Sequence, residues 1–224
     1  WGVRCNRGGC TPAGKGPIKP WKEDIKFMRQ AKHFVEQGYS YFMYEFRGHG
    51  ESDLGPNPWC TWGPDEAKDV LGAVDYVCSR PEFANASVGL LSFCMGSAST
   101  TYAYGLKDGL AENPQIKAFV AVQPLLYDYF VDALGMPGFI RRSADKVTTK
   151  RLGFDLTEPN FINDAPKVSV PTLVIQNTND PWTQISMIHD YHNALTVEKD
   201  MKLLEPENRH FAGHERDGEQ PAGG

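Results

Sequence analysis

No stretch of about 18 consecutive apolar residues occurs anywhere in the 224-residue chain, which excludes a helix that crosses a bilayer. Nor does the chain open on a basic, then apolar, then small-residue leader. Positive charge is not in excess: 23 Lys and Arg stand against 28 Asp and Glu, a net charge of −5. No global basic field therefore draws the protein to nucleic acid or to membranes, and neither is expected as a partner. Internal repeats and low-complexity linkers are missing, as are the H-E-x-x-H, C-x-x-C and G-x-x-x-x-G-K-[ST] patterns. No metal and no organic cofactor is expected. Cysteine is sparse and odd in number, at 5, so at least one thiol stays unpaired or pairs between chains. A reduced, cytoplasmic protein is the default expectation, although Cys5 and Cys10 are close enough to pair in an oxidising compartment. The chain starts at Trp1 rather than Met, as a trimmed or processed chain would.

What is present suits an enzyme-sized core: 41% hydrophobic and 12% aromatic residues, with 23% charged. Strand-like and helix-like segments alternate. Residues 1–5 read as a short strand, and a loop rich in Gly and Pro follows from Asn6 to Pro20. Ile25, Phe27, Met28, Ala31, Phe34 and Val35 have helical spacing, which predicts an amphipathic helix over 21–37 stopped by Gly38. The aromatic run 39–46 reads as a buried strand. Helices are expected at 65–78, 95–105 and 184–195, and strands at 88–93, 116–122, 172–176 and 201–205. This alternation predicts an α/β fold, a mostly parallel central sheet with helices on both faces. One domain spanning 1–224 is expected. The rhythm breaks only over about 125–168, a stretch that reads as a helical lid inserted between two strands.

The sharpest local signal is Leu90-Leu91-Ser92-Phe93-Cys94-Met95-Gly96-Ser97, where a strand runs straight into a helix. Cys94 sits at the turn, with small residues two before it (Ser92) and two after it (Gly96). Such a turn forces strained backbone angles and pushes the side chain clear of the sheet. The helix N-terminus is expected to lower the thiol pKa, and the Met95 N–H to serve as half of an oxyanion hole. A thiol nucleophile needs a His, and the His an orienting carboxylate. Asp180 ends the strand-like run Thr172–Asp180 and opens Pro181-Trp182, the place where open α/β sheets put their sites. Asp164 is the reserve acid. His210 follows the last strand in a short loop and is the first candidate base, with His214 as the alternative. His33, His189 and His192 read as helix-surface residues.

Together these pieces resemble the α/β-hydrolase superfamily. Tyr44-Glu45-Phe46-Arg47-Gly48-His49-Gly50-Glu51-Ser52 is similar to its D-x-R-G-x-G-x-S loop, with Glu45 at the Asp position. Ser92 to Gly96 resembles its nucleophile elbow, Pro171–Pro181 its acid-bearing strand and turn, and Lys202–His210 its His-bearing one. A Cys nucleophile is similar to that of dienelactone hydrolases, with Ser92 where that family has Gly; an engineered replacement of Ser by Cys is the other reading. Asn6-Arg7-Gly8-Gly9 falls where the family's oxyanion loop lies, so the backbones of Asn6 and Arg7 are expected to complete the hole.

The resemblance implies a hydrolase of carboxylic esters, lactones or thioesters acting through Cys94, His210 and Asp180 on a small-molecule acyl substrate. An acyltransferase, a carbon–carbon bond hydrolase and a non-catalytic binder on the same fold are the alternatives. Trp59, Trp62, Tyr127, Tyr129, Phe130, Phe139 and Trp182 are expected near a partly apolar pocket, and Arg141 and Arg142 could meet a carboxylate. A monomer and a homodimer both stay open.

Overall fold

The computed structural model describes residues 27–205 in full, together with the backbone of 3–6, 9–12 and 25–26. By internal packing the chain divides into two compact units, Trp1–Gly55 with Asn208–Gly224, and Pro56–Glu207.

In the first unit, β1 (Val3–Asn6), β2 (Gly9–Pro12) and β3 (Ile25–Lys26) form an antiparallel sheet in that order. Cys5 and Cys10 are register partners, one pair inward from Asn6 and Gly9. The helix expected from residue 21 is shorter: α1 runs Met28–Glu36, because Ile25 and Lys26 pair with β2 instead. The aromatic run 39–46 is irregular rather than a buried strand. Strand preference is a fit to a pleated, half-buried surface, whereas Tyr39, Phe42 and Tyr44 are exposed. Their rings meet one another and α1 instead, with Phe34 stacked on Tyr41 and Phe42 on Tyr44. The following turn is built around Glu45, whose carboxylate accepts from the Glu51 N–H at 2.7 Å. A Cβ at Gly50, where φ is +55°, would lie 2.3 Å from that carboxylate, so the turn needs glycine there.

The second unit holds the parallel sheet. It is composed of α2 (Glu66–Ser79), β4 (Val88–Phe93), α3 (Met95–Gly105), β5 (Ile116–Val122), α4 (Tyr127–Ala133), α5 (Gly138–Leu152), β6 (Thr172–Asn177), α6 (Ile185–Ala194) and β7 (Lys199–Leu204). The strands lie in the order β4-β5-β6-β7, all parallel. Each neighbouring pair is joined through a helical connection, which parallel pairing demands. The inner strands β5 and β6 carry most of the buried positions, among them Phe119, Ala121, Val122 and Val174. The core continues where α3, α6 and the short 3₁₀ segment Phe161–Lys167 meet. Fully buried Phe161 packs edge-on against Tyr191, 5.1 Å between centroids, and the Tyr191 hydroxyl bonds Thr101 at 2.9 Å. The break in rhythm between β5 and β6 contains α4, α5 and this 3₁₀ segment. Helix α5 buries none of its residues, and Gly153, at φ +82°, closes it.

Candidate active site

Strand register brings three chain segments to one edge. Phe93 pairs with Val122, and Val122 with Ile175, so β4, β5 and β6 leave the sheet side by side. The next residues continue the ladder: the Cys94 N–H donates to Val122 O and the Gln123 N–H to Ile175 O, both at 2.8 Å. This is the C-terminal edge, where parallel sheets collect their functional groups.

Cys94 is where a strand stops and a helix starts within one residue. Its backbone is held at φ +52°, ψ −120°, outside the regions open to ordinary L-residues. Helix α3 begins immediately, with the Ser97 N–H donating to Cys94 O at 3.0 Å. The surrounding small residues lock the turn. Ser97 Oγ donates to Ser92 O at 2.7 Å and to Val122 O at 3.2 Å, and Ser92 Oγ bonds Thr100 Oγ1 at 2.8 Å. A Cβ at Gly96 would meet only Ser92 Cβ, at 3.9 Å, an ordinary contact. The residue itself keeps surface open to solvent. Its thiol, however, is pushed up to about 12, because desolvation by the protein around it outweighs the Met95 N–H directed at it, with a smaller upward push from the Asp180 charge. The depressed pKa expected from the helix N-terminus is thus corrected: a single N–H and a partial dipole do not offset crowding.

Asp180 lies across the same edge. Its Oδ2 accepts from Gln176 Nε2 at 3.0 Å and Gln123 Nε2 at 3.1 Å, and its Oδ1 from the Trp182 N–H at 2.8 Å. Burial raises its pKa, while the Trp182, Gln176 and Gln123 donors work in the opposite direction. Gln123 is buried and stands at φ +49°, a strained position at the end of β5. Gln123 lies 57 positions from Asp180 and Gln176 only four, but neither amide belongs to a recognisable sequence motif.

Beside these groups is an aromatic cluster. Trp62 meets Tyr127 at 5.4 Å and Phe130 at 4.8 Å between ring centroids, and Phe130 meets Trp182 at 5.2 Å. Trp62 has φ +60°, and the loop that carries it is held by the fully buried carboxylate of Glu66. That carboxylate accepts from Thr61 N–H at 2.9 Å, Thr61 Oγ1 at 2.6 Å and Gly63 N–H at 2.8 Å. Cys60 in the same loop donates to Met95 Sδ at 3.5 Å, which ties the loop to the start of α3.

No family model and no curated protein matches the sequence. Solved structures match its fold. The esterase Pf2001 of Pyrococcus furiosus superposes with a TM-score of 0.59 at 18% identity, over 80% of this chain and 67% of that one. The α/β hydrolase GrgF from Penicillium sp. sh18 gives 0.56 at 18% identity, over 80% and 75%. The esterase EaEST from Exiguobacterium antarcticum gives 0.53 at 14% identity, over 84% and 81%. This chain has the α/β-hydrolase fold.

On that fold, Cys94, Met95 and Asp180 share the C-terminal sheet edge. His210, His214 and Arg7 lie outside the described residues. Asn6 ends β1 in the first unit, paired with Gly9. Leu204, the last residue of β7, accepts from the Thr178 N–H at 2.8 Å, so β7 also ends at this edge. Asp164 is at the other end of α3, against Gly105 and bonded to Lys167 at 2.8 Å. An 11-residue helix separates it from Cys94, about 16 Å of rise. Trp59 stacks under Arg151, 4.5 Å from its guanidinium, and Phe139 is 67% exposed rather than lining a pocket. Arg141 bonds Asp128 and Asp132 and faces Asp145 at 3.7 Å, so its charge is already neutralised within the segment and is not held out for a carboxylate. Among the described residues no group of His, Cys, Asp and Glu has the makings of a metal site, and no helix is long and apolar enough to cross a membrane.

Proposed function

We propose that the protein hydrolyses carboxylic esters, lactones or thioesters through Cys94, His210 and Asp180. The observation that carries this reading is the backbone of Cys94, φ +52° and ψ −120°, at the turn between β4 and α3. Strain of this kind persists where surrounding structure over-determines it, and it concentrates at reacting groups. The likeness to esterases shows the fold alone; the chemistry rests on the site.

With the thiol pushed up to about 12, Cys94 is protonated at neutral pH and needs a base. His210 takes the proton from Sγ as sulfur attacks the acyl carbonyl. The imidazolium so formed stabilises the thiolate, as an opposite charge within about 4–6 Å does. The carbonyl oxygen becomes the oxyanion and accepts from the Met95 N–H, with Asn6 and Arg7 supplying the second donor. His210 returns the proton to the leaving alcohol or thiol, and the acyl group stays on Sγ as a thioester. Water, deprotonated by His210, then releases the acid and regenerates the thiol. Asp180 fixes the imidazole tautomer and stays ionised. The segment 125–168 caps the site, and Trp62, Tyr127, Phe130 and Trp182 receive a partly apolar acyl group.

The test is turnover of a p-nitrophenyl acyl ester series together with iodoacetamide labelling read by mass spectrometry. Burst release of nitrophenol, preferential alkylation of Cys94, and loss of turnover in Cys94→Ala and His210→Ala are expected. Absence of both turnover and selective labelling overturns the reading.

A further inference from the structure

The outer face of α5 presents apolar and cationic side chains together to solvent. On a helical wheel, Arg142, Lys146, Phe139, Lys150, Ser143, Val147 and Ile140 follow one another around a single continuous arc, and every one of them is exposed. Phe139 is 67% exposed, Val147 51% and Ile140 44%. The arc carries no acidic residue. The one acid in the helix, Asp145, turns to the opposite side and faces Arg141. Among the described residues, Arg142, Lys146 and Lys150 form no ion pair. In a chain of net charge −5 this is a local reversal of sign.

Two side chains tie the helix to its surroundings. Arg141 joins it to Asp128 and Asp132 on α4, and Arg151, at its last turn, covers the Trp59 ring. The exposed arc is therefore presented on an anchored element, with three large apolar side chains and three cations left in water. Burial of the apolar groups against a dry partner would strand the cations, and a nucleic acid would use the cations alone. A surface with anionic groups outside and hydrocarbon beneath satisfies both at once.

We propose that the outer face of α5 docks the protein onto an anionic lipid surface. The helix lies in the plane of the interface, Phe139, Ile140 and Val147 enter the headgroup boundary, and Arg142, Lys146 and Lys150 meet lipid phosphates. This proposal does not depend on the identity of the nucleophile.

Co-sedimentation of the full chain with vesicles tests it, comparing pure phosphatidylcholine with an equal mixture of phosphatidylcholine and phosphatidylglycerol. Partitioning onto the mixed vesicles, weakened by added salt, is expected. The triple variant Arg142→Gln, Lys146→Gln, Lys150→Gln should lower the partition coefficient about a hundredfold. Phe139→Ser should lower it about tenfold. Lys107→Gln, exposed in the loop after α3, is the control and should leave it unchanged. Circular dichroism of each variant establishes that it is folded. Equal partitioning onto both vesicle types, or equal partitioning of the triple variant, overturns the proposal. So does self-association in the absence of lipid that Phe139→Ser abolishes, since the face then belongs to a second copy of the chain.

Discussion

The side-chain amide of Gln123 donates to Asp180 Oδ2 at 3.1 Å, across 57 positions of chain. The contact exists because β5 and β6 are adjacent and in register: the Gln123 N–H is fixed on Ile175 O, and Asp180 leaves β6 only a turn later. In the proposed mechanism, Gln123 is a positioning residue for the acid.

Gln123→Leu removes one donor from a buried carboxylate. Desolvation already raises the Asp180 pKa, so the loss of a donor raises it further. The ionised form is the one that orients the base, and the low-pH limb of kcat/KM therefore moves to higher pH. A fall of about tenfold in kcat/KM at neutral pH is expected, the size of one lost hydrogen bond to a charged group. A pH–rate profile of ester hydrolysis reads both, and an unmoved acid limb contradicts the role. The same shift has a stability sign. The folded carboxyl binds its proton more tightly than the unfolded one, so its contribution to folding weakens as pH rises above 3.8.

Alkylation of Cys94 should report its partner. Without an imidazolium nearby the thiol titrates near 12, so labelling of His210→Ala by iodoacetamide should be slow at neutral pH. The rate should then climb about tenfold per pH unit as the thiolate fraction grows. The parent protein should label at neutral pH with a much flatter profile. If both proteins label equally fast at pH 7, His210 is not the base.

Glu66 is a stability prediction in service of the site. Glu66→Ala strands the Thr61 N–H, the Thr61 hydroxyl and the Gly63 N–H in a buried loop. A loss of about 3 kcal/mol is expected, from one to three per buried unsatisfied group less what water recovers. Glu66→Gln, which keeps one acceptor, should lose less. Thermal unfolding measures both, and a quenching change in Trp62 fluorescence should accompany the loss.

Arg141 bridges α4 and α5. Arg141→Leu leaves Asp128, Asp132 and Asp145 facing one another without a cation. The group is partly exposed, so the global cost is only about 1 kcal/mol. The local effect should be larger: faster proteolytic nicking in the connection 134–137, suppressed at high salt, where the remaining repulsion is screened.

The unit that holds the sheet was largely legible. β4, α3 and β5 have the bounds read from residue pattern, 88–93, 95–105 and 116–122, because a buried parallel strand is a continuous apolar run and the chain punctuates its ends. The turn at Cys94 was legible too, since small residues on both sides leave few other ways to join strand to helix. The aromatic run 39–46 misled because strand-forming residues do not make a strand unless a pleated surface is there to receive them. The start of α1 misled because apolar spacing through Ile25 fits a helix as well as it fits a short ladder with β2.

Composition and order alone determined that this is an α/β chain with a nucleophile-like residue at a strand–helix turn and an acid after a later strand, since both are local patterns in a linear code. Only the tertiary structure decided that Asp180 is braced by Gln123, that Asp164 belongs to the far end of α3, and that crowding raises the Cys94 thiol. The first follows from sheet register, the second from how the 3₁₀ segment packs on α3, and the third from how much water that packing removes, and none is written in a single stretch of sequence.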